Sequence, residues 1–171
     1  MASTDGRNKV TDGGQTAQQT SRWESPRGWF DNGEHVLPLR VYYEDTDAAG
    51  IVYYANYLKF AERARTEMIR CLGIEHRPLM AEAGVAFAVR SCAAEYLLPA
   101  RLDDEIAVRT RIDKVGGATL HATQRVVRRE ETQTETELVA LKIRLACIDK
   151  DQRPARMPAE IRRAVAALMA T

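Results

Sequence analysis

Between residues 36 and 44 the chain runs through β-branched, aliphatic and aromatic side chains with Pro38 near the start, which predicts a first strand that tolerates an edge position. After Gly50 the apolar period lengthens. Tyr54, Leu58, Ala61, Met68 and Leu72 fall on one stripe, broadened by Tyr57, Phe60, Ala64 and Cys71, and Gly73 ends the predicted helix. Its other face carries Lys59, Glu62, Arg63, Arg65, Thr66, Glu67 and Arg70, with Glu62 spaced to pair with Arg65 and Arg63 with Glu67. That face reads as solvated or turned towards another subunit.

A short helical turn is expected around Pro78 to Ala83, and beyond it the period drops to two. Val85, Phe87 and Val89 lead towards Tyr96, where Pro99 closes the strand. Ile106, Val108, Thr110 and Ile112 form the next alternation. Gly116-Gly117 then turns the chain into Leu120, Ala122, Gln124 and Val126. Past the polar stretch Glu130 to Glu137, the series Val139, Leu141, Ile143, Leu145 and Cys147 predicts a well-paired central strand, with Lys142 and Arg144 facing away. Met157 to Met169 has helical spacing from near Pro158. A strand, a long helix and four further strands predict an α+β layout, an antiparallel sheet with one apolar helix across its concave face.

Three segments follow: a disordered tail and irregular arm over 1–34, the main domain over 35–150, and a C-terminal extension, helical in pattern, over 151–171. The tail to Ser21 is rich in Ser, Thr, Gly, Gln and Asp, while Trp23, Trp29 and Phe30 read as aromatic anchors of the arm. At 171 residues and 45% apolar composition, one core of good size is expected. A formal net charge of +1 supplies no global field favouring nucleic acid. No stretch approaches the roughly 18–20 apolar residues of a membrane span, and the first residues carry no signal-peptide pattern. Cys71, Cys92 and Cys147 are widely spaced and odd in number, so a reducing, cytoplasmic setting is expected.

The chemistry concentrates between Tyr42 and Tyr57, where the Asp45-Thr46-Asp47 segment and Gly50 precede the helix. Peptide N–H groups at a helix start are unpaired and carry the positive end of the dipole, so they suit an oxyanion, and Asp47 would supply a base or nucleophile. An Asp-x-Asp metal site is set aside because no third carboxylate follows in the loop. His35, His76 and His121 are scattered, which argues against a zinc site or a catalytic triad. No metal and no cofactor is expected.

Arg40-Val41, Thr46-Asp47 and Gly50-Ile51-Val52, at their spacing, resemble the signature of the 4-hydroxybenzoyl-CoA thioesterase family of hotdog-fold enzymes. The wider string from Val41 to Glu67, with Glu62-Arg63-Ala64-Arg65-Thr66-Glu67, is most similar to the Tol-Pal-associated subgroup, and the likeness runs from about Val36 to Asp149. It implies a hotdog fold, a five-stranded antiparallel sheet wrapped around one long helix. It also implies a homodimer with one continuous sheet and active sites between subunits, assembled further as a dimer of dimers, a homotetramer.

The resemblance implies hydrolysis of an acyl- or aroyl-CoA thioester in lipid metabolism, with acyl carrier protein as a further partner. Residue by residue, Asp47 matches the catalytic carboxylate, the Tyr54 N–H the donor to the thioester carbonyl, and Tyr43 a tyrosine near the site. Gly50, Ile51 and Val52 fall on the substrate-binding part of the signature. The subgroup often has histidine where Tyr54 stands, yet a main-chain N–H is present whatever side chain accompanies it. Coenzyme A phosphates call for cations at the mouth, for which Arg125 and Arg128 are the expected candidates, with Lys114 and Arg129 beside them. Two rivals use the same fold: a non-catalytic module that binds acyl chains or acyl carrier protein, and a dehydratase, which would need a histidine acid–base pair.

Overall fold

The computed structural model describes residues 27–74, 81–132 and 134–170. The tail, Trp23, His76 and the first part of the expected turn at 78–83 lie outside the described residues. Strands β1 (Trp29–Asp31), β2 (Glu34–Arg40), β3 (Val85–Tyr96), β4 (Glu105–Val115), β5 (Thr119–Arg129) and β6 (Glu135–Asp149) accompany helices α1 (Asn56–Cys71) and α2 (Ala159–Ala167). One antiparallel sheet takes the order β1-β2-β4-β5-β6-β3. No described helix is long and apolar enough to cross a membrane.

The sheet therefore has six strands rather than five. The extra one is β1, formed by the end of the expected irregular arm. Trp29–Asp31 pairs with Val36–Glu34, and Asn32 and Gly33 make the turn at positive φ. Gly28, also at positive φ, lies where a Cβ would meet the Val36 carbonyl oxygen at 2.1 Å, so the arm presses its backbone directly onto β2. Pro38 lies beyond the three residues β1 covers, where its missing N–H costs no pairing. The first strand also stops at Arg40 and not at Glu44. Tyr42 and Tyr43 are exposed, and the chain turns through a 3-10 turn at Tyr43–Asp45.

One helix face meets the sheet through Tyr57, Phe60, Ala61, Ala64, Met68 and Ile69, which join Val108, Leu120, Val126, Leu141 and Ile143 in the core. Ile161 and Val165 of α2 enter the same cluster. Two features of the expected stripe differ. Tyr54 lies ahead of the helix, and both it and Leu58 are exposed. Arg65, expected in solvent, is buried. Its guanidinium donates to Gln124 Oε1 at 2.7 Å and also bonds Glu62, while the Gln124 amide donates to the Ala61 carbonyl at 3.0 Å and to Thr110 Oγ1 at 2.9 Å. This satisfied polar chain beneath α1 fixes where the helix crosses the sheet, because sliding it would strand several buried polar groups. On the outer side, Glu67 pairs with Arg70 rather than Arg63.

His35 is fully buried beside the arm, where its Nε2–H donates to the Arg27 carbonyl at 2.9 Å and its Nδ1 has no partner among the described residues. Burial holds its pKa below the ordinary 6.5, opposed by the Arg27 hydrogen bond and the charge of Glu67. The unfolded chain then takes up a proton at a pH where the folded chain does not. Stability is full above about pH 6.5 and falls as pH drops towards the lowered folded value, at up to about 1.4 kcal/mol per pH unit. Urea unfolding at pH 7.5 and 5.5 should show this loss for the native chain and a smaller one for His35→Gln. Equal losses would assign the pH dependence to other groups.

Candidate active site

The corner between β2 and α1 is held from several directions. Asp45 is buried, and its carboxylate accepts the Tyr42 N–H at 2.9 Å, capping the 3-10 turn. The next residues fold back as a small hairpin. Thr46 bridges Val52, the Asp47 N–H reaches the Ile51 carbonyl at 2.9 Å, and the Gly50 N–H returns to the Asp47 carbonyl at 2.9 Å. Gly50 has φ +71°, and a Cβ there would meet nothing within 4 Å, so the turn demands glycine for its conformation and not for space. The Asp45 carbonyl accepts both the Tyr53 N–H and the side-chain amide of buried Asn56, each at 2.9 Å, which ties the loop to the first turn of α1. Val52 N–H donates to the Ala100 carbonyl at 2.9 Å, docking the hairpin on the chain beyond β3.

Asp47 is exposed at this hairpin, whereas the Asp45 carboxylate is buried. Its Oδ1 accepts the Ala49 N–H at 2.8 Å, and among the described residues its second oxygen has no partner. On the returning arm the neighbouring amides are engaged: Tyr53 N–H by Asp45 and Asn56 N–H by the Tyr53 carbonyl. The Tyr54 N–H between them has no acceptor among the described residues. The corner thus offers a free carboxylate oxygen and, among the described residues, free peptide donors at Tyr54 and Ala55 on a short, cross-bonded loop.

A cavity of about 240 Å³ opens beside it, lined by Ile51, Val52, Tyr54, Tyr57, Tyr96, Leu97, Leu98 and Pro99. Tyr57 is buried and its hydroxyl oxygen accepts the Ala100 N–H at 2.8 Å. Burial raises its pKa, opposed by the Ala100 hydrogen bond and helped by Asp104, so the floor of the cavity is a neutral phenol. Of the residues the signature singles out, Asp47, Gly50, Ile51, Val52 and Tyr54 come together on the hairpin and its exit. Tyr43 is 82% exposed and does not line this cavity. Its carbonyl instead accepts the Thr46 hydroxyl at 2.9 Å.

The expected cations separate. Arg128 stands opposite Ile106 at the corner end of the sheet, 3.5 Å from Asp104 and 3.1 Å from Glu130, and its charge reaches the Tyr57 hydroxyl. Arg125 alternates with buried Gln124 and Val126, so it lies on the outer face, where Glu34 holds it at 2.9 Å and Glu137 at 3.8 Å. It is a strand-to-strand cross-link and not the free cation expected at a phosphate site. Arg129 is 3.5 Å from Glu105. Lys114 lies at the far end of β4 from Glu105, on the order of 30 Å by strand rise.

The sequence pattern assigns no role to Asn56 or Tyr96. Asn56 lies inside the signature stretch, but nothing local shows a side chain reaching back eleven residues to a carbonyl. Tyr96 ends an alternating run and reads as strand.

Residues 41–165 match the family model described as the thioesterase-like superfamily. The chain is 46% identical over 126 residues to the acyl-CoA thioester hydrolase YbgC of Escherichia coli O6:H1, covering 72% of this chain and 90% of that protein. It is 42% identical over 136 residues to the acyl-CoA thioesterase YbgC of Haemophilus influenzae, covering 79% and 96%. A mutant 4-hydroxybenzoyl-CoA thioesterase in complex with 4-hydroxybenzoyl-CoA superimposes with TM-score 0.73 over 77% of this chain and 98% of that one. At 20% identity that likeness shows a shared fold, the hotdog.

Asn56→Ala should cost about 1 kcal/mol of stability and speed exchange of the Tyr53 amide hydrogen, because it removes one of the two donors to the Asp45 carbonyl. Unchanged exchange at Tyr53 would show that the corner holds without this bond.

Proposed function

The chain belongs to the thioesterase-like superfamily and hydrolyses acyl-CoA thioesters to free acid and CoA, and we propose that Asp47 and the Tyr54 peptide N–H carry out the chemistry. The observation that carries this reading is the presence, on one cross-bonded hairpin and its exit, of a carboxylate oxygen and a peptide hydrogen that have no partner among the described residues. A thioester needs little more. Attack at its carbonyl carbon moves charge onto the carbonyl oxygen, and a fixed N–H stabilises that charge in the transition state more than in the ground state.

Two routes use the same groups. In one, Asp47 takes a proton from water as the water oxygen adds to the carbonyl carbon; the oxyanion rests on the Tyr54 N–H, and its collapse breaks the carbon–sulfur bond, releasing the thiolate to be protonated. In the other, the Asp47 oxygen itself adds, the thiolate leaves, and water cleaves the resulting anhydride. The bond to Ala49 N–H holds Oδ1 in either case and leaves the second oxygen to react. The apolar cavity beside Ile51 and Val52 suits the acyl or aroyl group, and Arg128 is one of the cations at the corner end.

The same reading includes assembly. From Val89 to Tyr96 both faces of β3 are exposed, Val89, Tyr96 and the following Leu97 and Leu98 are each about half exposed, and β3 is an outer strand of the sheet. A long apolar edge of this kind calls for a partner strand, and a second copy of β3 supplies one by two-fold symmetry. Tyr43, exposed on its turn, becomes a group that a neighbouring subunit reaches.

Asp47→Asn is the direct test, because asparagine keeps an oxygen for the Ala49 N–H while removing the anion. Thiol release from an acyl-CoA panel should fall by roughly 10²- to 10⁴-fold with the melting temperature unchanged. A rate within twofold of the native one would take Asp47 out of the reaction. Light scattering should give a mass of two or four times 19.2 kDa; a monomer at assay concentration would refute assembly through β3.

A further inference from the structure

The gap between α1 and β3 continues beyond the corner. The helix lies over β2, β4 and β5, and the inner face of β3 stands largely uncovered. Register shows which side chains make that face. Val89 pairs with Leu145, Cys92 with Ile143, Ala94 with Leu141 and Tyr96 with Val139, and all four partners belong to the core. The bulge between Val89 and Ser91 keeps Val89 on the same side as Cys92. These four residues of β3 are exposed. Strand and helix run in opposite directions along the gap: the Tyr57 and Tyr96 rings meet at 6.0 Å at one end, and Met68 and Ile69 share a cavity with Val85 and Phe87 at the other.

Three cavities follow one another there. The first is the one beside Tyr54, Tyr57 and Tyr96. Between Tyr96 and Cys92 the strand turns only the methyl group of Ala94 inward. The second cavity, about 240 Å³, is lined by Leu58, Ala61, Val89 and Cys92 together with Glu62 and Arg65. The third, about 180 Å³, shares Glu62, Arg65 and Val89 with the second and continues to Met68, Ile69 and Phe87. The ion pair therefore stands between an apolar space on the corner side and another beyond it. Arg65 is buried and held by Gln124 as well as by Glu62, so the pair is fixed in place. An alkyl chain passing it would strip water from charged groups and offer no hydrogen bond in return.

We propose that the acyl chain runs from the corner along the groove between α1 and β3 and that the Glu62–Arg65 pair ends it, which makes this pair the determinant of acyl length. The inference rests on the reading of the Tyr54 N–H as the oxyanion donor, because that places the first carbon. Eight residues separate Tyr54 from Glu62. At helical rise they span about 12 Å, and an extended alkyl chain built from 1.5 Å bonds covers that with about eight to ten carbons. Pairing of a second copy along β3 uses the peptide groups of the strand edge and leaves its inward side chains to the substrate.

For the full chain, kcat/KM on straight-chain acyl-CoAs from acetyl to hexadecanoyl should rise about two- to fourfold per carbon up to about ten carbons, then level or fall. Cys92→Phe raises a ring from the strand into the second cavity, so it should lower kcat/KM on octanoyl-CoA by about tenfold or more and leave acetyl-CoA within about twofold. Glu62→Leu combined with Arg65→Met makes the passage apolar and should move the optimum about four carbons longer, into the third cavity. A native profile flat in chain length, or still rising at hexadecanoyl-CoA, overturns the proposal, as does a native profile in Cys92→Phe. If the mass of Cys92→Phe in light scattering changes while its profile does not, the groove belongs to the second copy instead. A folded double variant with the native optimum removes the ion pair as the stop; should that variant lose its melting transition, the Cys92→Phe comparison decides. A fully active Asp47→Asn chain would overturn the catalytic reading without altering the length profile, so the two failures are distinguishable.

Discussion

The carbonyl oxygen of Asp45 is the point on which this site depends. It accepts one hydrogen from the Tyr53 backbone and one from the Asn56 side chain, so the chain entering the hairpin and the helix leaving it are fastened to a single atom. A carboxylate and a peptide donor on separate flexible loops would be held in a productive geometry only part of the time. Reactive groups must stay within fractions of an ångström of it, and two hydrogen bonds across a nine-residue loop are an economical way to hold them there.

That local clamp works because the helix it joins cannot move. Tyr57, Phe60, Ala64 and Met68 are packed against β4, β5 and β6, while Gln124 beneath them binds the Ala61 carbonyl and the Arg65 guanidinium. A purely apolar interface would allow α1 to slide by part of a turn at modest cost. Buried donors and acceptors make each displaced register expensive. The corner is fixed a second time, to the chain between β3 and β4, by Val52 and by Tyr57, both bonded to Ala100.

Much of this was legible in the residues. The alternations of β4, β5 and β6 and the Gly116-Gly117 turn are local patterns, and the hotdog family is shown by matches over most of the chain. What sequence concealed was long-range. β1 is three residues of Trp, Phe and Asp, too short to show a period, and it exists because β2 offers it an edge. Arg65 looked solvated because nothing in its own helix announces Gln124, 59 residues away. Arg125 looked free because Glu34 and Glu137 reach it from other strands. Tyr54 and Leu58 fit the apolar stripe by spacing, yet the helix begins after Tyr54 and its buried face is rotated away from Leu58.

The central claim is that Asp47 and the Tyr54 N–H address the same carbonyl group. A crystal structure with an acyl-CoA analogue in which a methylene replaces the thioester sulfur tests it directly. The account predicts the ketone oxygen within about 3 Å of the Tyr54 nitrogen and an Asp47 oxygen, or a water bound to it, within about 3.5 Å of the carbonyl carbon. A carbonyl group bound away from the Thr46–Val52 hairpin, or turned with its oxygen towards the carboxylate, would contradict it.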